Sequence, residues 1–187
     1  MGNEVQNTVK RNRLRKKQEK YAKFYNKVNE LLEQYIGGQV FFTELDKAVK
    51  FDYDILEDLF DAVYEKFGYE NLVIIGSGEI GLAMHNFELP VNILVPGGLR
   101  FDPSKCNLEP YRMKIVGKDV VFVDDSYFSG RTLDVIHEAV SDIGGHLIGA
   151  YVAYDGSKDR DPTVHSLYRY YDHFDIQGRP KHTEDEE

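Results

Sequence analysis

Two adjacent carboxylates, Asp124 and Asp125, follow four apolar residues in the stretch VVFVDDSYFSGRT, Val120 to Thr132. Ser129-Gly130-Arg131-Thr132 closes the stretch, and a helical pattern begins behind it. The first amides of a helix have no partner inside the helix, and its dipole favours negative charge there. Small residues let an anion come close, and the Ser129 and Thr132 hydroxyls can donate to it, so the turn suits a phosphate. Two acids beside it would repel that same phosphate. They must serve another part of the ligand: the hydroxyls of a sugar, or a magnesium ion bridging to them. A sugar 5-phosphate is the ligand class that these residue types define.

With those residues in view, VVFVDDSYFSGRT resembles the phosphoribosyl pyrophosphate (PRPP) motif of the type I phosphoribosyltransferases. The resemblance implies that Asp124 and Asp125 bind the ribose 2- and 3-hydroxyls, and magnesium by way of them. It implies that Ser129, Gly130, Arg131 and Thr132 hold the 5-phosphate. GSGEIGLA, Gly76 to Ala83, stands where that family has its pyrophosphate loop, so Gly76, Ser77, Gly78 and Glu79 are candidates there. GGLRFDPSKCNLEPYRMK, Gly97 to Lys114, is similar to the family's flexible loop, with Arg100 and Lys105 reaching for pyrophosphate oxygens. The resemblance spans residues 70–160. It implies PRPP and magnesium as ligands and a homodimer. The implied activity is transfer of 5-phosphoribose to a nitrogenous acceptor, a nucleobase, in nucleotide metabolism. No catalytic residue is assigned.

Four residues depart from the family pattern. Phe128 stands where some purine-using members place a general base, and phenylalanine cannot move a proton. Ile80 precedes Gly81 where a basic residue or glycine is common, and Glu79 brings a negative charge to the pyrophosphate loop. Asp155 stands where readers of 6-oxopurines carry lysine. These departures keep a second reading open: a member that binds PRPP or a nucleotide as a sensor, or uses the fold as a scaffold, without transfer.

The elements that must position these residues follow from periodicity. Short apolar runs at Leu72–Gly76, Val91–Gly98, Val120–Asp125 and His146–Asp155 read as buried strands. Helical pieces at Ile80–Asn86 and Thr132–Ile143 lie between them. The fold class expected is α/β, a mostly parallel doubly wound sheet with an N-terminal helical extension, its ligands beyond the carboxyl ends of the strands. Residues 1–68 read as the extension, 69–180 as the α/β domain and 181–187 as an acidic tail. A helix is expected over residues 8–36. A short helix capped by Thr43 and a longer one capped by Asp52 or Asp54 should follow. The aromatic run Ser166–Phe174 reads as a last strand or a lid.

Composition narrows the function classes. The chain of 187 residues is 42% hydrophobic and 29% charged, an ordinary balance for a folded domain, with a net charge of −9. Seven basic residues against two acids in residues 1–20 make a local exception, read first as a solvated helix start and second as a nucleic-acid contact. Residues 39–70 carry nine acids and three lysines, which argues against a DNA-reading helix pair there. No apolar run is long enough to span a membrane. One cysteine, Cys106, excludes an internal disulfide, and the expected compartment is the cytoplasm. The six histidines show no metal-ligand spacing.

Overall fold

Five strands form one all-parallel sheet in the computed structural model, which describes residues 2–34, 39–68, 70–89 and 91–181. The expected tail, 181–187, falls outside the described residues apart from Lys181. Contacts divide the chain into residues 1–48 and 49–187.

The first unit is helical. Helix α1 covers Gly2–Lys20 and α2 covers Ala22–Gln34. The helical hydrogen bonds run on through the intervening Tyr21, whose amide reaches the Lys17 carbonyl at 3.0 Å. One face of α2 is apolar and buried, with Phe24, Tyr25, Val28 and Leu31. Helix α3, Gln39–Lys50, starts before Thr43, so Thr43 lies inside the helix instead of capping it.

In the second unit α4 spans Tyr53–Phe67. Its cap is Asp52, whose carboxylate accepts from the amides of Asp54 at 3.1 Å and Ile55 at 3.4 Å. Gly68 ends the helix at φ 85°, a conformation that needs glycine, and its amide reaches the Tyr64 carbonyl at 2.9 Å. Helix α4 belongs with the sheet. A side chain at Gly149 would meet the Phe67 ring at 3.0 Å, so that glycine makes room for the end of α4.

The sheet strands are β1 (Leu72–Ser77), β2 (Ile93–Val95), β3 (Asp119–Tyr127), β4 (His146–Asp155) and β5 (Val164–Arg169). Their order is β2-β1-β3-β4-β5. Helices α5 (Gly78–Asn86), α6 (Arg112–Ile115) and α7 (Arg131–Asp142) connect the first four strands. This is the doubly wound α/β class expected from the sequence. Alternation along the strands sends Val73, Ile75, Val120, Phe122, Ala150 and Val152 into a core shared with Leu133, Ile136 and Val140 of α7. The second strand is shorter than the expected Val91–Gly98. The aromatic run gives the edge strand β5 and then a single helical turn, α8 (Tyr170–His173).

Candidate active site at the carboxyl ends of β1 and β3

The chain leaves β1 for β2 on one side and returns to β3 on the other. The crevice beyond β1 and β3 is therefore the point where the strand order reverses, the usual ligand position in such sheets. The last rung between these strands pairs Gly76 with Val123. Asp124 and Asp125 come directly after it, flanked on the other side by the β4 end through the Ser126–Tyr154 and Tyr127–Asp155 pairs. Both aspartates are partly buried. The Asp124 carboxylate accepts from the Asp125 amide at 3.0 Å, and the Asp125 carboxylate from the Ser126 hydroxyl at 3.3 Å.

Beyond β3 the chain turns through Phe128, Ser129 and Gly130 into α7. Gly130 takes the left-handed conformation, φ 78° and ψ −11°, with no side-chain cap on the helix. A left-handed residue feeding right-handed helical ones turns successive amides into one concavity, which favours an anion. Ser129 and Arg131 are exposed and Thr132 is half-buried at this helix start. One strand-turn-helix thus brings together all six residues expected to hold a ribose phosphate.

The β1 loop has the close backbone approach its glycines predict. A side-chain carbon at Gly76 would stand 2.7 Å from the Gly81 α-carbon, so α5 lies directly against the strand end. Gly78, at φ 45°, faces Gly97 after β2, whose α-carbon would be 3.0 Å from such a carbon. Ser77 is buried between them. Ile80 points into the core, which accounts for an apolar residue before Gly81. Glu79 is exposed and forms an ion pair with Lys50 at the end of α3.

The segment Gly97–Lys114 is held at intervals. Leu99, Leu108 and Ile115 are buried in the core beneath α7, and Cys106 and Tyr111 pack against it. Between these anchors the Arg100 guanidinium lies 4.5 Å from the Phe101 ring centre, and Lys105 pairs with Asp102 at 3.4 Å. Arg112 makes a two-pronged pair with Glu109, 2.8 Å at each contact. Its overall hydrophilicity concealed these apolar anchors in the sequence.

Two features here were not legible in the sequence. The Phe128 ring lies over Gly156, where an added side-chain carbon would come within 2.2 Å of it, and tilts against Tyr154 at 5.9 Å. The ring is 37% exposed, so it is neither a core residue nor a free one. Asp155 is buried and engaged. One carboxylate oxygen accepts from the Ser157 amide at 2.9 Å and its hydroxyl at 2.5 Å. The other stands 3.0 Å from Arg169 Nε, an ion pair without hydrogen-bond alignment at that nitrogen. Burial raises the Tyr154 phenol above its ordinary range, with neighbouring tyrosines adding to the effect.

Among the described residues no group of three or more His, Cys, Asp or Glu side chains gathers into a metal site. Two carboxylates alone would leave a magnesium ion to complete its oxygen shell from ligand and water. That is how magnesium commonly sits beside phosphorylated ligands, so the donor set fits it. No described helix is long and apolar enough to cross a membrane.

No protein-family model matches the sequence, and no curated protein matches it. Solved structures similar to this chain include orotate phosphoribosyltransferase from Mycobacterium tuberculosis H37Rv in complex with Fe(III) dicitrate. That pair is 16% identical over 66% of this chain and 78% of the other, with a TM-score of 0.45. A hypothetical protein from Neisseria gonorrhoeae with bound ppGpp is 18% identical over 63% and 80%, TM-score 0.44. Purine phosphoribosyltransferase from Pyrococcus horikoshii Ot3 is 20% identical over 61% and 82%, TM-score 0.40.

Proposed function

We propose that this chain binds PRPP with magnesium in the crevice beyond β1 and β3 and transfers 5-phosphoribose to a nitrogenous acceptor, a nucleobase. The observation that carries this reading is the succession Asp124-Asp125, left-handed Gly130 and the α7 start, placed where the strand order reverses. Asp124 and Asp125 accept from the two ribose hydroxyls, and the amides from Ser129 to Thr132 take the 5-phosphate. Gly76, Ser77, Gly78 and Glu79 border the pyrophosphate, with Arg100 and Lys105 on the segment beyond β2. Bound magnesium would neutralise charge on the leaving pyrophosphate. The bond from ribose C1 to pyrophosphate oxygen breaks and a bond from acceptor nitrogen to C1 forms. Pyrophosphate leaves with the electron pair, and the acceptor's proton passes to solvent or to pyrophosphate. Fixed dipoles at the helix start hold the phosphate end still while positive charge develops at C1. The reading includes a cytoplasmic location and a homodimer, and light scattering of the purified chain tests the dimer.

The position of Phe128 favours a second reading, PRPP or nucleotide binding without transfer. Its ring is placed on Gly156, and no proton acceptor replaces it at residue 128. Pyrophosphate release across a panel of nucleobases separates the two. Release with at least one base establishes transfer; tight PRPP binding with no release establishes a sensor.

A further inference from the structure

Tyr127 is the last residue of β3, and its side chain turns back under the loop that follows. A side-chain carbon at Gly130 would stand 3.0 Å from the Tyr127 hydroxyl. That hydroxyl donates to Asp161 Oδ2 at 3.2 Å, in the loop between β4 and β5. Asp161 is itself fixed, because its Oδ1 accepts from the Thr163 amide at 2.8 Å and hydroxyl at 2.7 Å. The Tyr127 carbonyl accepts from the Gly156 amide at 3.0 Å, and the ring leans on the core beneath α7. Both ends of Tyr127 are thus tied to the loop after β4, with its hydroxyl facing the side of Gly130 where a side chain would project.

We propose that Tyr127 and Asp161 form a strut that holds Gly130 in its left-handed conformation, making Tyr127 the positioning residue of the phosphate turn. The inference rests on the phosphoribosyl reading for its ligand, and on geometry alone for its effect on the turn. Neither residue is among those placed on the ligand under that reading. Tyr127 acts through Gly130: its hydroxyl occupies the space a side chain at residue 130 would need and so backs the turn that presents the amides of Ser129 to Thr132. Glycine is favoured at residue 130 by φ 78°, and a side-chain carbon there would also crowd this hydroxyl. Burial and the Asp161 carboxylate push the Tyr127 phenol up to about 12, so it remains a neutral donor at any physiological pH. Hydrogen bonds donated by Thr163, and then by Tyr127, hold Asp161 below the usual carboxylate range, so its accepting form persists.

The test compares wild type with Tyr127→Phe, Asp161→Ala, the double variant and Asp161→Asn. Amide hydrogen exchange at residues 129–132 is read without ligand, and ribose 5-phosphate affinity by calorimetry. Loss of one hydrogen bond to a charged group should speed exchange and weaken binding about tenfold in each single variant. The double variant should do no more than either single one. Asp161→Asn, which still offers a polar partner to the Tyr127 hydroxyl, should recover most of the protection. Wild-type exchange in Tyr127→Phe, or additive effects in the double variant, would overturn the strut. Unchanged affinity with faster exchange would overturn its role in positioning. Should wild type bind neither ribose 5-phosphate nor PRPP with magnesium at millimolar concentration, the phosphoribosyl reading falls, and exchange alone still decides the strut.

Discussion

Asp155→Asn should destabilise the second unit strongly, because Asp155 and Arg169 form a buried pair. Their side chains are only 6% and 10% exposed, and the closest approach is 3.0 Å. At an effective dielectric of 20 the gross attraction at that distance is about 5–6 kcal/mol, set against the cost of taking both charges from water. Breaking such a pair from one side leaves an uncompensated charge and costs about 3–5 kcal/mol. Asparagine keeps an oxygen for the Ser157 amide and hydroxyl, and Arg169 keeps Asp172 at 3.8 Å and the Ser157 carbonyl at 3.2 Å. The expected loss is therefore at the lower end, about 3 kcal/mol, or roughly 6–12 °C in Tm for a unit of this size. Asp155→Ala also strands the Ser157 amide and should reach the upper end. Replacing both partners with apolar residues, Asp155→Leu with Arg169→Met, should recover most of the loss. Urea titration followed by circular dichroism and by tyrosine fluorescence measures all three variants, and agreement of the two signals checks that one transition is being read. An Asp155→Asn midpoint within about 1 kcal/mol of wild type would show that water screens the pair, and the reasoning would fail.

Gly156→Ala should displace the Phe128 ring, which lies 2.2 Å from the added carbon, at a cost of about 1–3 kcal/mol. Adding Phe128→Ala to that variant should relieve most of it, as thermal unfolding of the pair will show. Asp52→Ala removes the α4 cap and should cost about 1 kcal/mol by urea titration, with no change in ligand affinity. At alkaline pH the raised Tyr127 phenol sets a direction. Its folded value, about 12, lies above the unfolded one, so its contribution is whole below the unfolded value and disappears as pH rises through 12. Alkaline unfolding should therefore begin later in Tyr127→Phe than in wild type, at matched neutral-pH stability.

The sheet was legible because burial on both faces leaves uninterrupted apolar runs. Leu72–Gly76 and His146–Asp155 carry enough of them to place β1 and β4 within a residue. The two edge strands pair on one side only, so the sheet constrains their ends less, and Pro96 has no amide with which to prolong β2. That is why Val91–Gly98 shrank to Ile93–Val95, and why the aromatic run divided between β5 and a helical turn. Thr43 was misread because a hydroxyl residue suits a helix start in sequence, whereas α3 begins at Gln39 under the pull of Phe41, Leu45 and Val49, all buried. The turn after β3 was legible as a turn because an apolar run, a glycine and a helical pattern follow one another there. What escaped were partnerships between residues far apart in the chain. Asp161 was one of many acids until Tyr127 came within 3.2 Å of it. Gly156 showed no demand for glycine until Phe128 was found lying on it. Ile80 looked like a departure at a ligand loop, and its burial explains it as a packing residue.

Calorimetry with PRPP and magnesium, on wild type and on Asp124→Asn with Asp125→Asn, tests the central claim most directly. Saturable binding by wild type, and none by a double variant whose circular dichroism and Tm are unchanged, is the predicted result. No binding by wild type at millimolar PRPP, or equal binding by the double variant, would contradict it.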